Sequence, residues 1–110
     1  MEQLLDWKGS IVVINAATLD QRGNKTNKHF HGELIEVAHK PFDESALFSI
    51  DEIVLKTDDM ANIQIGIPTE SIKEIQCFQT EVIITKMNGF TTTITLNKKK
   101  GRGNHANFNL

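Results

Sequence analysis

The sequence predicts an all-β fold, a small antiparallel barrel of six or seven short strands. Of the 110 residues, 28 are β-branched (thirteen Ile, five Val and ten Thr), and these side chains pack well on a pleated sheet but lose rotamer freedom in a helix. Short apolar runs bounded by turn residues recur along the chain, whereas no apolar stripe with helical spacing persists beyond about two turns. Closing such strands into a barrel would remove exposed edges, and a compact sandwich is the alternative.

The chain is predicted to begin with a short cap on the core, followed by a strand and a loop. Residues 1–7 are predicted to form one helical turn or a strand edge that covers one end of the core. Residues 10–17 contain the apolar run Ile11 to Ile14, which is typical of a strand that is buried on both faces for part of its length. Residues 20–28 have almost nothing to bury and predict a mobile, exposed loop.

Two further strands are predicted before the middle of the chain. Residues 30–38 form the second strand, and Gly32 marks a sharp bend or the close approach of another part of the backbone. Pro41 ends this strand, since it cannot donate a hydrogen bond to a sheet, and residues 40–45 form a second surface loop. Residues 46–56 are predicted to form a third, bulged strand, followed by a turn-rich connection.

The second half of the chain predicts two strands around a tight turn and then a hairpin. Residues 63–67 alternate Ile with Gln and Gly, which is the pattern of a half-buried strand. Residues 69–71 predict a tight or 3₁₀ turn before a strand at residues 72–78. Asn88-Gly89 predicts a type I′ turn between strands at residues 82–87 and 90–96.

The inward faces of these predicted strands supply the core. The predicted core residues are Ile11, Val13, Leu34, Ile53, Leu55, Ile65, Ile67, Ile72, Ile75, Ile84, Ile94 and Leu96. On the last strand, Thr92 shares the inner face with Ile94, while Thr91, Thr93 and Thr95 line the outer face.

Length and charge predict one domain with a basic tail. The chain is too short to divide into two domains, so residues 1–97 are predicted to form a single β-barrel domain and residues 98–110 a flexible tail. Residues 1–80 contain seven Lys or Arg against thirteen Asp or Glu, whereas residues 81–110 contain five against one. The tail is too polar and too rich in Gly to bury a stable face.

A cytoplasmic location is predicted. A single cysteine, Cys77, excludes an intrachain disulfide and favours a reducing compartment. The first six residues carry Glu2 and Asp6 but no Lys or Arg, which argues against a secretory signal. The longest apolar runs are four residues, against the ~20 that a membrane-spanning helix needs, so no membrane association is predicted.

The strand rhythm of residues 9–78 resembles that of SH3-like and Sm-like barrels. The resemblance is carried by Gly9-Ser10-Ile11-Val12-Val13, by Gly32-Glu33-Leu34, by residues 63–67 and by Ser71-Ile72-Lys73-Glu74-Ile75. The Asp-x-x-Met-Asn element of Sm-like RNA-binding proteins is missing after the second strand, because Asp59-Met60-Ala61-Asn62 comes much later. The resemblance therefore implies a barrel shape and no RNA-binding residues.

His29, His31 and Glu33 form a candidate metal-binding row. These residues alternate along a predicted strand, so their side chains project from the same face. Two imidazoles and one carboxylate suit zinc, nickel or iron, and a fourth ligand would come from His39, Asp43 or elsewhere. The alternative interpretation, which we favour, is the solvated face of an amphipathic strand.

No catalytic or cofactor-binding set is evident, so we predict neither an enzyme nor a cofactor. The adjacent carboxylates Asp51-Glu52 and Asp58-Asp59 are interpreted as turn and strand residues, because neighbours on a strand point to opposite faces. Cys77 lies in an apolar run and is predicted to be a small buried hydrophobic residue.

The predicted function class is a binding or assembly module that acts through loops or an exposed strand edge. The candidate surfaces are the loops at residues 20–28 and 40–45 and the tail, and the predicted partner is a protein or a second copy of the chain. A second hypothesis is nucleic-acid binding through Lys98, Lys99, Lys100 and Arg102, with Lys86 on the adjacent strand. Metal binding at His29, His31 and Glu33 is the third.

Overall fold

The computed structural model describes residues 2–45, 50–60 and 64–98 of the chain. The elements are α1 (Glu2–Asp6), β1 (Ile11–Leu19), β2 (Lys25–Lys40), β3 (Glu52–Thr57), a 3₁₀ helix (Asp58–Met60), β4 (Ile65–Pro68), a second 3₁₀ helix (Thr69–Ser71), β5 (Ile72–Cys77), β6 (Glu81–Lys86) and β7 (Thr91–Lys98). The predictions of an all-β fold and of six or seven antiparallel strands are confirmed, and the number is seven.

The seven strands form one antiparallel sheet in the order β4-β3-β2-β1-β7-β6-β5. The two edge strands, β4 and β5, are neighbours in the sequence and are joined only by the second 3₁₀ helix. A flat sheet of seven strands would be about 29 Å wide, whereas the three residues of that helix can span at most about 14 Å. The sheet is therefore curled, and its two edges approach each other at this connection.

The curled sheet is not closed into a barrel. No strand pairing joins β4 to β5 in the part of the chain that the structure describes. The predicted turn between these two strands is confirmed as the 3₁₀ helix Thr69–Ser71. The barrel itself, and with it the SH3-like or Sm-like detail, stays a prediction.

The core fills the inner side of the curl. Its buried members are Leu4, Trp7, Val12, Ile14, Leu34, Val37, Ile53, Leu55, Met60, Ile67, Val82, Ile84 and Ile94. The helix α1 contributes the first of these residues, and Trp7 follows it directly, so the segment covers part of the core as the sequence predicts. Burying these side chains removes apolar surface from water, which is the main force that stabilises the fold.

The predicted inward face of β1 is wrong by one residue. Val12 and Ile14 are fully buried, whereas Ile11 and Val13 are half-buried on the outer face. Four consecutive β-branched residues show no alternation, so the run itself does not indicate which pair faces the core. Pairing with β7 decides it, because Ile14 lies opposite the buried Ile94.

Two hairpins use the same kind of turn. The sequence prediction of a loop at residues 20–28 is wrong beyond residue 24, because β2 begins at residue 25 and pairs along β1. Asp20 closes the turn: its carboxylate accepts the N–H groups of Arg22 and Asn24, each at 2.8 Å. The hairpin predicted from strands at residues 82–87 and 90–96 is confirmed, and its strands are Glu81–Lys86 and Thr91–Lys98. Its loop has three residues and ends on Gly89 (φ 88°) instead of forming a two-residue type I′ turn.

Strand β2 changes partner near Gly32. It pairs with β1 up to Glu33 and with β3 from Leu34 onwards. Where β3 has ended, the first 3₁₀ helix takes its place: the N–H of His31 donates to Asp59 Oδ2 at 2.7 Å and that of Glu33 to Asp58 Oδ1 at 2.9 Å. These two carboxylates therefore satisfy strand donors that would otherwise lack a partner strand.

Candidate functional site

The His29, His31 and Glu33 side chains share one exposed face of β2, as the sequence predicts. His29 Nδ1 lies 2.7 Å from Asn15 Oδ1 on β1, and His31 Nε2 lies 3.1 Å from Asn97 Nδ2 on β7. Within residues 2–45, 50–60 and 64–98, no three His, Cys, Asp or Glu side chains converge in a way that could hold a metal ion. Metal binding at this row stays a prediction.

The predicted nucleic-acid-binding residues fall at the end of the described chain. Lys98 is exposed at the end of β7, and Lys86 is half-buried at the end of β6. Lys99, Lys100 and Arg102 lie outside the described residues, as does the rest of the predicted tail. Cys77, predicted to be buried, is instead exposed at the end of the edge strand β5.

A groove with two adjoining hollows lies where β2, β3 and the second 3₁₀ helix meet α1. The first hollow has a volume of about 420 Å³ and is lined by Leu5, Val37, Ala38, His39, Ile53 and Thr69. The second has a volume of about 390 Å³ and is lined by Phe42, Ile50, Asp51, Pro68, Thr69 and Glu70. Thr69 belongs to both hollows, so we treat them as one site and refer to it as the groove.

Strand pairing and the short helices position the groove residues. On α1, Leu4 turns into the core, and its neighbour Leu5 is left on the outside. His39 of β2 lies opposite Ile53 of β3. The N–H of Thr69 donates to the backbone oxygen of Asp51 at 2.9 Å, which holds the second 3₁₀ helix against the start of β3.

His39, Asp51 and Thr69 form a polar cluster in the groove, and its member Thr69 lines both hollows. Asp51 Oδ1 accepts the Thr69 hydroxyl at 2.6 Å and lies 2.7 Å from His39 Nε2. The Thr69 hydroxyl, followed by the bond to His39, lowers the pKa of the Asp51 carboxyl from its usual value because both stabilise the ionised form. The carboxylate stands between the imidazole and the hydroxyl, so His39 is not placed to take the Thr69 proton as a general base would.

Exposed apolar side chains are concentrated at the groove. Seven large apolar side chains are exposed among the described residues: Leu5, Leu19, Ile35, Phe42, Ile50, Phe78 and Met87. Three of them, Leu5 (50% exposed), Phe42 (59%) and Ile50 (52%), line the groove. Of the remaining four, two lie at or beside the hairpin turns and one follows β5. Isolated apolar residues on a surface are ordinary, but a cluster in a concave site indicates binding.

The surroundings of the groove are acidic. Asp51 and Glu70 line it directly, and Asp43 and Glu44 lie in the connection after β2. The pKa of Asp43 is lowered by the Ser45 hydroxyl and by the Ser45 N–H, so this carboxyl is also held in its charged form. Lys40, the lysine closest in sequence to Phe42, is paired with another carboxylate: its Nζ lies 3.8 Å from Glu36 Oε2. The groove therefore combines apolar walls with negative charge.

Comparison with known proteins supplies no relative for this chain: no protein-family model, no curated protein and no solved structure matches it. Within the described ranges, no helix combines the length and the apolar character that crossing a bilayer requires.

Sequence reasoning identified only part of this site. The loop at residues 40–45 was predicted to be a binding surface, and it contributes Phe42. Asp51 was interpreted as a strand or turn residue, and Leu5 and Thr69 were not singled out for binding. Asp51 and Thr69 carry no local signal, and the exposure of the apolar Leu5 depends on how α1 packs on the sheet, so the site becomes visible only when residues distant in sequence are brought together.

Proposed function

We propose that this protein is a small protein-binding module that holds an extended segment of a partner protein in the groove. The observation that carries the proposal is the concentration of Leu5, Phe42 and Ile50, all at least half exposed, in one acidic groove. Moving such side chains out of water on binding is favourable, at about 25 cal/mol per Å² of apolar surface.

The chemistry of the groove defines the partner segment. Each hollow falls within the range of about 300–1,000 Å³ that is typical of ligand pockets, so each has room for a large apolar side chain. Asp51 and Glu70 favour a neighbouring Lys or Arg, and complementary charge of this kind adds specificity and speeds association. The expected ligand is an extended segment that combines basic and large apolar residues.

Three finer statements belong to the same proposal. The curled sheet acts as a small barrel that is left open between β4 and β5, which gives the groove a rigid frame. The module acts in the cytoplasm, an inference that rests on its single cysteine. The protein is not an enzyme, a view supported by the position of the Asp51 carboxylate between His39 and Thr69.

Selection from a displayed library of random peptides tests the proposal. Peptides that bind the full chain should be enriched in Lys or Arg close to a large apolar side chain. Leu5→Gln, which keeps a good helix former on α1, and Glu70→Lys should each weaken binding of a selected peptide roughly tenfold, equivalent to about 1.4 kcal/mol.

Two matched variants control for general effects on the surface. Leu19→Gln changes an apolar side chain of similar exposure (55%) beside the β1–β2 turn, and Glu74→Lys makes the same charge change on β5. Both should bind the selected peptide as the unmodified chain does. Equal binding by the groove variants, or a library that yields no peptide with this chain or with the tail variant described below, would overturn the proposed function.

A further inference from the structure

The composition of the chain beyond β7 is complementary to the groove. Residues 99–110 contain Lys99, Lys100 and Arg102, no acidic residue, and the two large apolar residues Phe108 and Leu110. This is the combination of positive charge and apolar side chains that the acidic groove fits. The same asymmetry is visible in the whole chain, since all but one of its acidic residues precede residue 81.

We infer that the groove is occupied in the free protein by residues 99–110 of the same molecule. This inference rests on the proposed function, because it names the resident ligand of the same site. Phe108 or Leu110 enters a hollow, and the basic residues lie beside Asp51 and Glu70. A partner segment must then displace the tail before it binds.

The chain is long enough to reach the groove. Lys98 pairs with Ile11 on β1, and Ile11 pairs with Glu33 on β2. Two strand spacings and the four residues from Glu33 to Val37 give a path of about 23 Å. The ten residues from 99 to 108 span up to about 33 Å when extended, which is sufficient for Phe108 to reach the first hollow.

Attachment to the same chain makes even weak docking effective. A tethered segment competes at an effective concentration in the millimolar range when its linker can span the distance. The apparent affinity for every partner is then the affinity of the open groove multiplied by the fraction of molecules whose groove is open. The tail therefore sets a threshold that favours partners with stronger apolar or basic anchors.

Paramagnetic relaxation in the full chain tests the inference directly. Cys77 is exposed, so Cys77→Ser removes the native thiol without altering the core. A spin label attached through Asn109→Cys should abolish the amide signals of Ala38, Ile53 and Thr69, which line the groove, and spare that of Gly23 in the β1–β2 turn. A label attached through Gln21→Cys, at an exposed position in the β1–β2 turn, should leave the groove signals intact.

A charge reversal in the tail provides the second measurement. Combining Lys99→Glu, Lys100→Glu and Arg102→Glu should restore the groove signals in the chain labelled at position 109. In an unlabelled chain, the same three changes should increase the affinity for a selected library peptide roughly tenfold, about 1.4 kcal/mol, because the competing tail is released.

The outcomes separate this inference from the proposed function. Intact groove signals with the label at position 109 overturn the inference, and peptide binding then decides the proposed function on its own. Loss of the groove signals in isotope-enriched chains that carry no label, when they are mixed with spin-labelled chains, identifies a second copy as the occupant and also overturns the inference. Intact groove signals together with binding of a single-stranded oligonucleotide by residues 99–110 would assign the tail to nucleic acid instead.

Discussion

Asp58 occupies the space that a β-carbon on Gly32 would need, and its Oδ1 atom accepts the N–H of the next residue, Glu33, at 2.9 Å. This contact joins the first 3₁₀ helix to β2 at the point where β2 exchanges β1 for β3 as its partner. The glycine is required here by a side chain of another segment, since Gly32 itself has no positive φ angle.

Gly32→Ala should lower the free energy of unfolding by about 1 kcal/mol, because the new methyl group displaces the Asp58 carboxylate and breaks its hydrogen bond. In the Asp58→Ala background, the same change should cost much less, since the space is then free. Chemical denaturation of the four proteins of this double-mutant cycle measures the coupling. Strictly additive effects would contradict the contact.

Val12 and Val13 are neighbours with opposite environments on β1, and they test the register of this strand. Val12→Ala should destabilise the protein by about 2 kcal/mol, because it leaves a cavity in the core. Val13→Ala removes a half-buried side chain from the outer face and should cost less than about 1 kcal/mol. Thermal or urea unfolding distinguishes the two, and a larger effect at position 13 would show that the face is assigned wrongly.

The pKa of Asp51 should rise toward its usual value in Thr69→Val, because the first cause of its lowering, the Thr69 hydroxyl, is removed. The folded pKa lies below the unfolded value of about 3.9. The stabilisation from this carboxylate is therefore complete above the unfolded pKa and is lost as the pH falls through the folded pKa. Carboxyl-carbon NMR titration measures the shift.

Asp43 is the internal control for that titration. Its pKa is lowered by the hydroxyl and N–H of Ser45, so Thr69→Val should leave it unchanged, whereas Ser45→Ala should raise the pKa of Asp43 and leave that of Asp51 as it is. A common shift of both carboxyls in either variant would mean that long-range electrostatics, and not these hydroxyl groups, set the two values.

Gly89→Ala should destabilise the β6–β7 hairpin by about 1–2 kcal/mol, because an L-residue with a β-carbon is strained at positive φ. No atom lies within 4 Å of the added β-carbon, so the cost comes from the backbone alone. Gly89→Asn should cost less, since Asn adopts this region more readily. Equal stability of all three proteins, measured by thermal unfolding, would exclude the proposed three-residue turn.

The candidate site was less predictable than the fold because it is assembled from four separated segments. Leu5, His39, Asp51 and Thr69 come from α1, β2, the residue before β3 and the second 3₁₀ helix. The sequence names only His39, as a fourth ligand of a metal site, and no local pattern marks the other three as binding residues. They meet because β2 pairs with β3, and because Thr69 bonds back to Asp51.

The sequence by itself determined the all-β class, most strand positions and the last hairpin, because β-branched composition, alternation and turn residues act over a few neighbouring residues. Only the tertiary structure decided which face of residues 11–14 is buried, why residue 32 is Gly, and where the groove forms. Each of these depends on which distant strand or helix lies alongside. That choice is made by the free energy of packing the whole sheet, and no short stretch of sequence contains it.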